Sequence, residues 1–83
     1  MNKITVKVEY VGQADFEDEV PAGQVLQAIK VRAMKFFGIE PGAEGKYELL
    51  FEGSAQSDQT HVGDFGRFVV VLTLALREEV AKG

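Results

Sequence analysis

The sequence predicts an α+β domain, a mixed sheet of four to five strands packed on one crossing helix. Three observations predict it. Apolar residues alternate at period two near both ends of the chain, a stretch between them switches to helical spacing, and 83 residues allow one domain and no more. A domain this small buries only about 60–65% of the surface its unfolded chain exposes. Its core must be well filled, and the 46% hydrophobic content is enough for that.

Ile4, Val6, Val8 and Tyr10 alternate with Lys3, Thr5, Lys7 and Glu9, as in a strand with one face buried. Val11-Gly12-Gln13 follows as a hairpin loop, where Gly12 can take a positive φ. Ala14 to Val20 resumes the strand, with Phe16 and Val20 facing the core and Asp15, Glu17 and Glu19 facing water. Asp18 falls on the inward side, so the end of this strand is expected to fray or bulge.

Pro21-Ala22-Gly23 breaks the strand. From Gln24 to Phe37 the residues Leu26, Ile29, Ala33, Phe36 and Phe37 make an apolar stripe at spacings of three and four, and Gly38 supplies the stop. Ile39 to Gly45 is a loop with a turn at Pro41-Gly42. Tyr47, Leu49 and Phe51 alternate with Lys46, Glu48 and Glu52 as a third strand. Gly53 to Gly66 is polar and glycine-punctuated, with room for a short strand and a turn of helix. Phe68 to Leu76 is the last strand and the most apolar, which predicts a central, well-covered position with Leu72, Leu74 and Leu76 inward. The order ββαββ places every apolar face on one side of the sheet, with the first and last strands parallel at its centre. Two layers then close one core, and this is the β-grasp arrangement.

Composition excludes several functions. The chain has no cysteine, hence no disulfide scaffold, thiolate metal site or cysteine nucleophile, and this fits a reducing compartment. A net charge of −4 with scattered lysines disfavours nonspecific nucleic-acid binding, which needs clustered cations. No apolar run approaches the roughly 20 residues of a membrane span. The N-terminus opens directly into the first strand pattern, so no signal peptide is expected and the location is expected to be cytoplasmic.

Read in order, the residues resemble ubiquitin over nearly the whole chain. Lys3-Ile4-Thr5-Val6-Lys7-Val8 is similar to its first strand. Glu19-Val20-Pro21 followed by Gln24-Val25 resembles its step into the helix, and Gly38-Ile39-Glu40-Pro41 its helix exit. Leu49-Leu50-Phe51-Glu52-Gly53 resembles its third strand and turn, and Asp58-Gln59-Thr60-His61-Val62-Gly63-Asp64-Phe65 its loop before the last strand. Leu72-Thr73-Leu74-Ala75-Leu76-Arg77 is similar to that last strand. The chain departs from ubiquitin in a longer loop after Ile39 and at its end. There it reads Arg77-Glu78-Glu79-Val80-Ala81-Lys82-Gly83 in place of Arg-Gly-Gly. Such divergence resembles the bacterial ubiquitin-like proteins, some of them encoded beside their own activating and conjugating enzymes.

The resemblance implies a ubiquitin-like domain over residues 1–77 and a flexible C-terminal tail over residues 78–83. It implies a protein modifier, not an enzyme, activated at Gly83 and attached to protein targets. Its implied partners are activating and conjugating enzymes and a deconjugating peptidase. A monomer is expected, with no cofactor or metal. Glycine suits a tail that threads a narrow active site, because it lacks Cβ. Strand alternation turns Leu50, Val71, Thr73 and Ala75 outward on neighbouring strands, where the resemblance implies a partner-binding patch. Two other readings stand beside this one. A non-conjugated interaction module would use the patch alone, and a sulfur carrier normally ends in Gly-Gly, against Lys82 here.

Catalytic and metal chemistry find little support. His61, the one histidine, lies between Asp58 and Asp64 near Ser54, Ser57 and Thr60, but no nucleophile elbow or oxyanion motif accompanies it. Asp15, Glu17, Asp18 and Glu19 read as a solvated strand edge more readily than a cation site. Gly42-Ala43-Glu44-Gly45-Lys46 lacks the spacing of a phosphate-binding loop.

Overall fold

The computed structural model describes residues 3–77. Five strands, β1 (Lys3–Glu9), β2 (Phe16–Pro21), β3 (Tyr47–Phe51), β4 (Ser54–Gln56) and β5 (Val69–Leu76), form one sheet in the order β2-β1-β5-β3-β4, crossed by α1 (Leu26–Phe36). β1 and β5 run parallel at the centre and the other pairs are antiparallel. This is the predicted β-grasp, with β4 and a 3-10 turn at Val62–Phe65 filling the segment before β5.

Alternation sends Ile4, Val6 and Val8 of β1 and Val70, Leu72 and Leu74 of β5 under α1, where each is at least nine-tenths buried. Leu26, Ile29, Ala33 and Met34 of α1 close on them, with Leu49 of β3 and Val62. Each of the larger of these side chains contributes about 1.5–3 kcal/mol by leaving water.

The helix begins at Leu26, the first residue of its apolar stripe and two residues after the expected start at Gln24, and another segment caps it. The Gln24 N–H turns back to the Pro21 carbonyl. The first helical N–H groups, of Leu26 and Gln27, donate to the carbonyls of Thr60 and Asp58 at 2.9 and 3.0 Å. No side chain caps this end, so the 58–60 loop satisfies donors that a helix start leaves orphaned. At the other end Gly38 takes φ 77°, and the N–H groups of Gly38 and Ile39 bond back to Lys35 and Met34. This pairing closes the last turn in the left-handed Schellman geometry that favours glycine.

Four expectations are corrected. Phe36 is not in the core stripe: it is 55% exposed and stacks on Phe16 at 5.4 Å, while Met34 and Lys30 take inward positions. β2 neither frays nor bulges at Asp18; the register runs unbroken from Phe16 to Pro21, and Arg32 of α1 reaches the inward Asp18 carboxylate at 3.1 Å. Leu76, the last residue of β5, is 63% exposed and not part of the core. β5 is central but covered on one face only, so Val69 and Val71 stand in water on the other. No helix among the described residues is long and apolar enough to cross a membrane.

Candidate interaction surface

A single helix covers one face of the sheet, so the opposite face is left to solvent and strand register decides what appears there. Leu50 of β3 lies directly opposite Thr73 of β5, and Glu48 opposite Ala75. Val71 and Ala75 flank Thr73 at the strand period of two. The structure therefore brings Leu50, Val71, Thr73 and Ala75 together on the outer face as one patch. Val71 is 43% exposed, Leu50 and Ala75 are half-buried, and Thr73 is exposed. Ala55 of β4, exposed and paired with Leu50, extends the patch toward the sheet edge.

The apolar surface runs further than the sequence reading took it. Val69, 50% exposed, continues the same face, and Phe68 just before the strand is 75% exposed. The period that selected Val71 also reaches Val69, so this extension was legible. Lys7 and Glu9 border the strip from β1, opposite Val71 and Thr73. On the β3 side Arg67 pairs with Glu52 at 2.9 Å and lies over the Phe51 ring, 5.0 Å from its centroid.

β5 ends beside the patch and is pinned there. The Arg77 N–H donates to the Lys46 carbonyl at 2.8 Å, its Nε donates to the Gly45 carbonyl at 2.9 Å, and its guanidinium lies 3.8 Å from Glu48. Arg77, the last described residue, thus lies two positions past the row that Glu48 and Ala75 share. Gly83 and the rest of the expected tail, residues 78–83, lie outside the described residues.

Beneath the surface lies a polar group that the sequence reading missed. Lys30 is fully buried, and its Nζ donates to Asp58 Oδ2 and to the Tyr47 carbonyl, each at 3.0 Å. The signal was its spacing, four residues from both Leu26 and Met34 on the inward stripe. Tyr47, which β3 opens on, packs edge-on to Tyr10 with centroids 6.3 Å apart. Its phenol is held above the ordinary value of 10.0, first by hydrogen bonding with the Tyr10 side chain, then by desolvation and by repulsion from that second phenol.

His61 has a local role. Its N–H donates to Asp64 Oδ2 at 3.1 Å, closing a capping box on the Val62–Phe65 turn. Glu17 and Glu19 are exposed on the outer face of β2, and Asp15 precedes that strand. Among the described residues no group of His, Asp or Glu side chains could hold a metal ion.

No protein-family model and no curated protein matches the chain. Solved structures do. The ubiquitin of Caldiarchaeum subterraneum superposes with a TM-score of 0.76 at 16% identity, over 96% of this chain and 100% of that one. A structure described as "Molecular Mimicry of SUMO promotes DNA repair" superposes with a TM-score of 0.72 at 16% identity, over 92% of this chain and 94% of that one. At such identity the likeness shows the fold, a ubiquitin-like β-grasp.

Proposed function

We propose that this chain is a ubiquitin-like protein modifier, recognised through the outer-face patch and joined to protein targets through the Gly83 carboxylate. The observation that carries the reading is the adjacency of the patch and Arg77. Arg77 is fixed to the Lys46 carbonyl at 2.8 Å and lies two residues past Ala75, with its guanidinium 3.8 Å from Glu48. An enzyme that grips Leu50, Val71, Thr73 and Ala75 would then hold the tail at its own active site.

The chemistry needs a carboxylate and no protein nucleophile from this chain, which has no cysteine. Attack of the Gly83 carboxylate on the α-phosphate of ATP releases pyrophosphate and leaves an acyl adenylate. A thiolate of the activating enzyme displaces AMP, and a conjugating enzyme accepts the acyl group in turn. A target amine finally displaces the thiol. The proposed partners are therefore activating and conjugating enzymes, a deconjugating peptidase and the targets. The setting we propose is bacterial and cytoplasmic.

Lys82 favours a second reading, because it stands where ubiquitin carries its penultimate glycine. Under that reading the domain binds partners through the patch and is never conjugated. Incubation with a cognate activating enzyme and ATP separates the two. The modifier reading expects an enzyme thioester that disappears when Gly83 is deleted and weakens with Leu50→Arg. A thioester indifferent to Gly83 sinks it.

A further inference from the structure

We propose that the end of the sheet around Phe68 is a docking site for the Glu78-Glu79-Val80 segment of a second copy of this chain. Three of the seven exposed large hydrophobics among the described residues, Phe68, Val69 and Val71, fall within one short stretch. Beside Phe68 is a cavity of about 230 Å³ lined by Ile4, Ala22, Gly63, Gly66 and Arg67. It is smaller than the roughly 300–1,000 Å³ of small-molecule pockets, and its size and apolar floor suit one aliphatic side chain.

Three cations lie near it: Arg67 lines the cavity, and Lys3 and Lys7 stand on the neighbouring strand. Thr5 donates its N–H to the Phe68 carbonyl at 2.9 Å, which brings Lys3 and Lys7, on either side of Thr5, alongside the stretch. Lys7 is level with Val71 across the β1–β5 pairing. Neither lysine forms an ion pair among the described residues. Arg67, already held by Glu52 at 2.9 Å, adds a third cation at the rim. Glu17 and Glu19 face the same side from β2, one strand further out, with Glu17 opposite Lys7 and Glu19 opposite Thr5.

An aliphatic anchor preceded by carboxylates is what such a site takes, and the chain contains one in Glu78-Glu79-Val80. It cannot come from the same copy. Val80 follows Arg77 by three residues and so lies within about 10 Å of it. The far end of β5 is eight residues back along an extended strand, about 26 Å away. The contact is therefore head-to-tail between copies. A docked tail is withheld from other partners, whether or not Gly83 is ever activated.

The test uses the full-length isotope-labelled chain, titrated with a synthetic peptide of residues 77–83 and followed by amide shifts. Saturable shifts confined to Lys3–Lys7, Ala22, Gly63 and Gly66–Val71 are expected. The peptide carrying Glu78→Lys and Glu79→Lys should bind roughly tenfold more weakly. Val80→Asp in the peptide, or Phe68→Ser in the domain, should abolish the shifts. Against a domain carrying Lys3→Glu and Lys7→Glu the preference between the two charged peptides should invert. Equal binding of both charged peptides, shifts confined to Leu50, Thr73 and Ala75, or no shifts would overturn the proposal. None of these outcomes depends on the thioester assay.

Discussion

The Lys30 ammonium, with no exposed surface, sits 3.0 Å from Asp58 Oδ2 and joins the middle of α1 to the loop that caps the helix start. The two partners are unequal, since the Asp58 side chain keeps 29% of its surface in water. Asp58→Ala leaves a buried charge without its counterion and should cost about 3–5 kcal/mol. Lys30→Met leaves a carboxylate that can turn to solvent and should cost less, about 1–3 kcal/mol. Denaturant unfolding of both variants checks the order, and a costlier Lys30→Met would refute this view of the pair.

The 3-10 turn that follows this loop makes a close backbone contact. The Gly63 N–H donates to the Ala22 carbonyl at 2.9 Å, and a Cβ at Gly63 would stand 2.7 Å from the Ala22 Cβ. Gly63→Ala should destabilise by about 1–3 kcal/mol through overpacking. Adding Ala22→Gly should recover part of that loss, so the two substitutions should be non-additive in a thermal-unfolding cycle. Strict additivity would place the strain elsewhere.

Tyr47 predicts an alkaline limit. Its phenol titrates above the ordinary 10.0 in the fold, chiefly through hydrogen bonding with the Tyr10 side chain. A raised folded value means that the contribution is fully present below the unfolded value and is lost as pH rises through the folded one. Tyr10→Phe should lower the alkaline phenolate transition of Tyr47, read by ultraviolet absorbance. An unchanged transition would remove Tyr10 as its cause.

The helix face supplies a fourth contrast. Met34 is 2% exposed whereas Phe36 is 55% exposed. Met34→Ala should therefore cost about 2–5 kcal/mol, and Phe36→Ser no more than about 1 kcal/mol, mostly from its stacking on Phe16 and Phe37. Equal losses in unfolding experiments would return Phe36 to the core.

These contrasts mark where the sequence could be read. Alternation in β1 and β5 specified the sheet and its outward residues, because a one-residue slip would turn every side chain over. The helix was legible from Leu26, Ile29 and Ala33, but its start was not: the groups that cap it, the carbonyls of Asp58 and Thr60, are more than thirty residues away in sequence. Lys30 was overlooked because its charge argued for water while its spacing argued for the core. Asp18 read as a disruption because Arg32, which neutralises it, comes from another element. Strand parity gave the outward residues of the patch and the resemblance to ubiquitin placed their strands side by side, whereas the extension to Phe68 needed the exposure of a residue outside the regular strand.

Covalent attachment through Gly83 is tested most directly by measuring the bond itself. An N-terminally tagged chain, isolated from its source cells under denaturing conditions, should carry adducts heavier than the free protein. Trypsin cleaves after Lys82, so each target peptide should bear a single glycine on a lysine amine. Both signals should vanish when Gly83 is deleted. Adducts that persist without Gly83, or a wild-type chain recovered only in free form, would contradict the account.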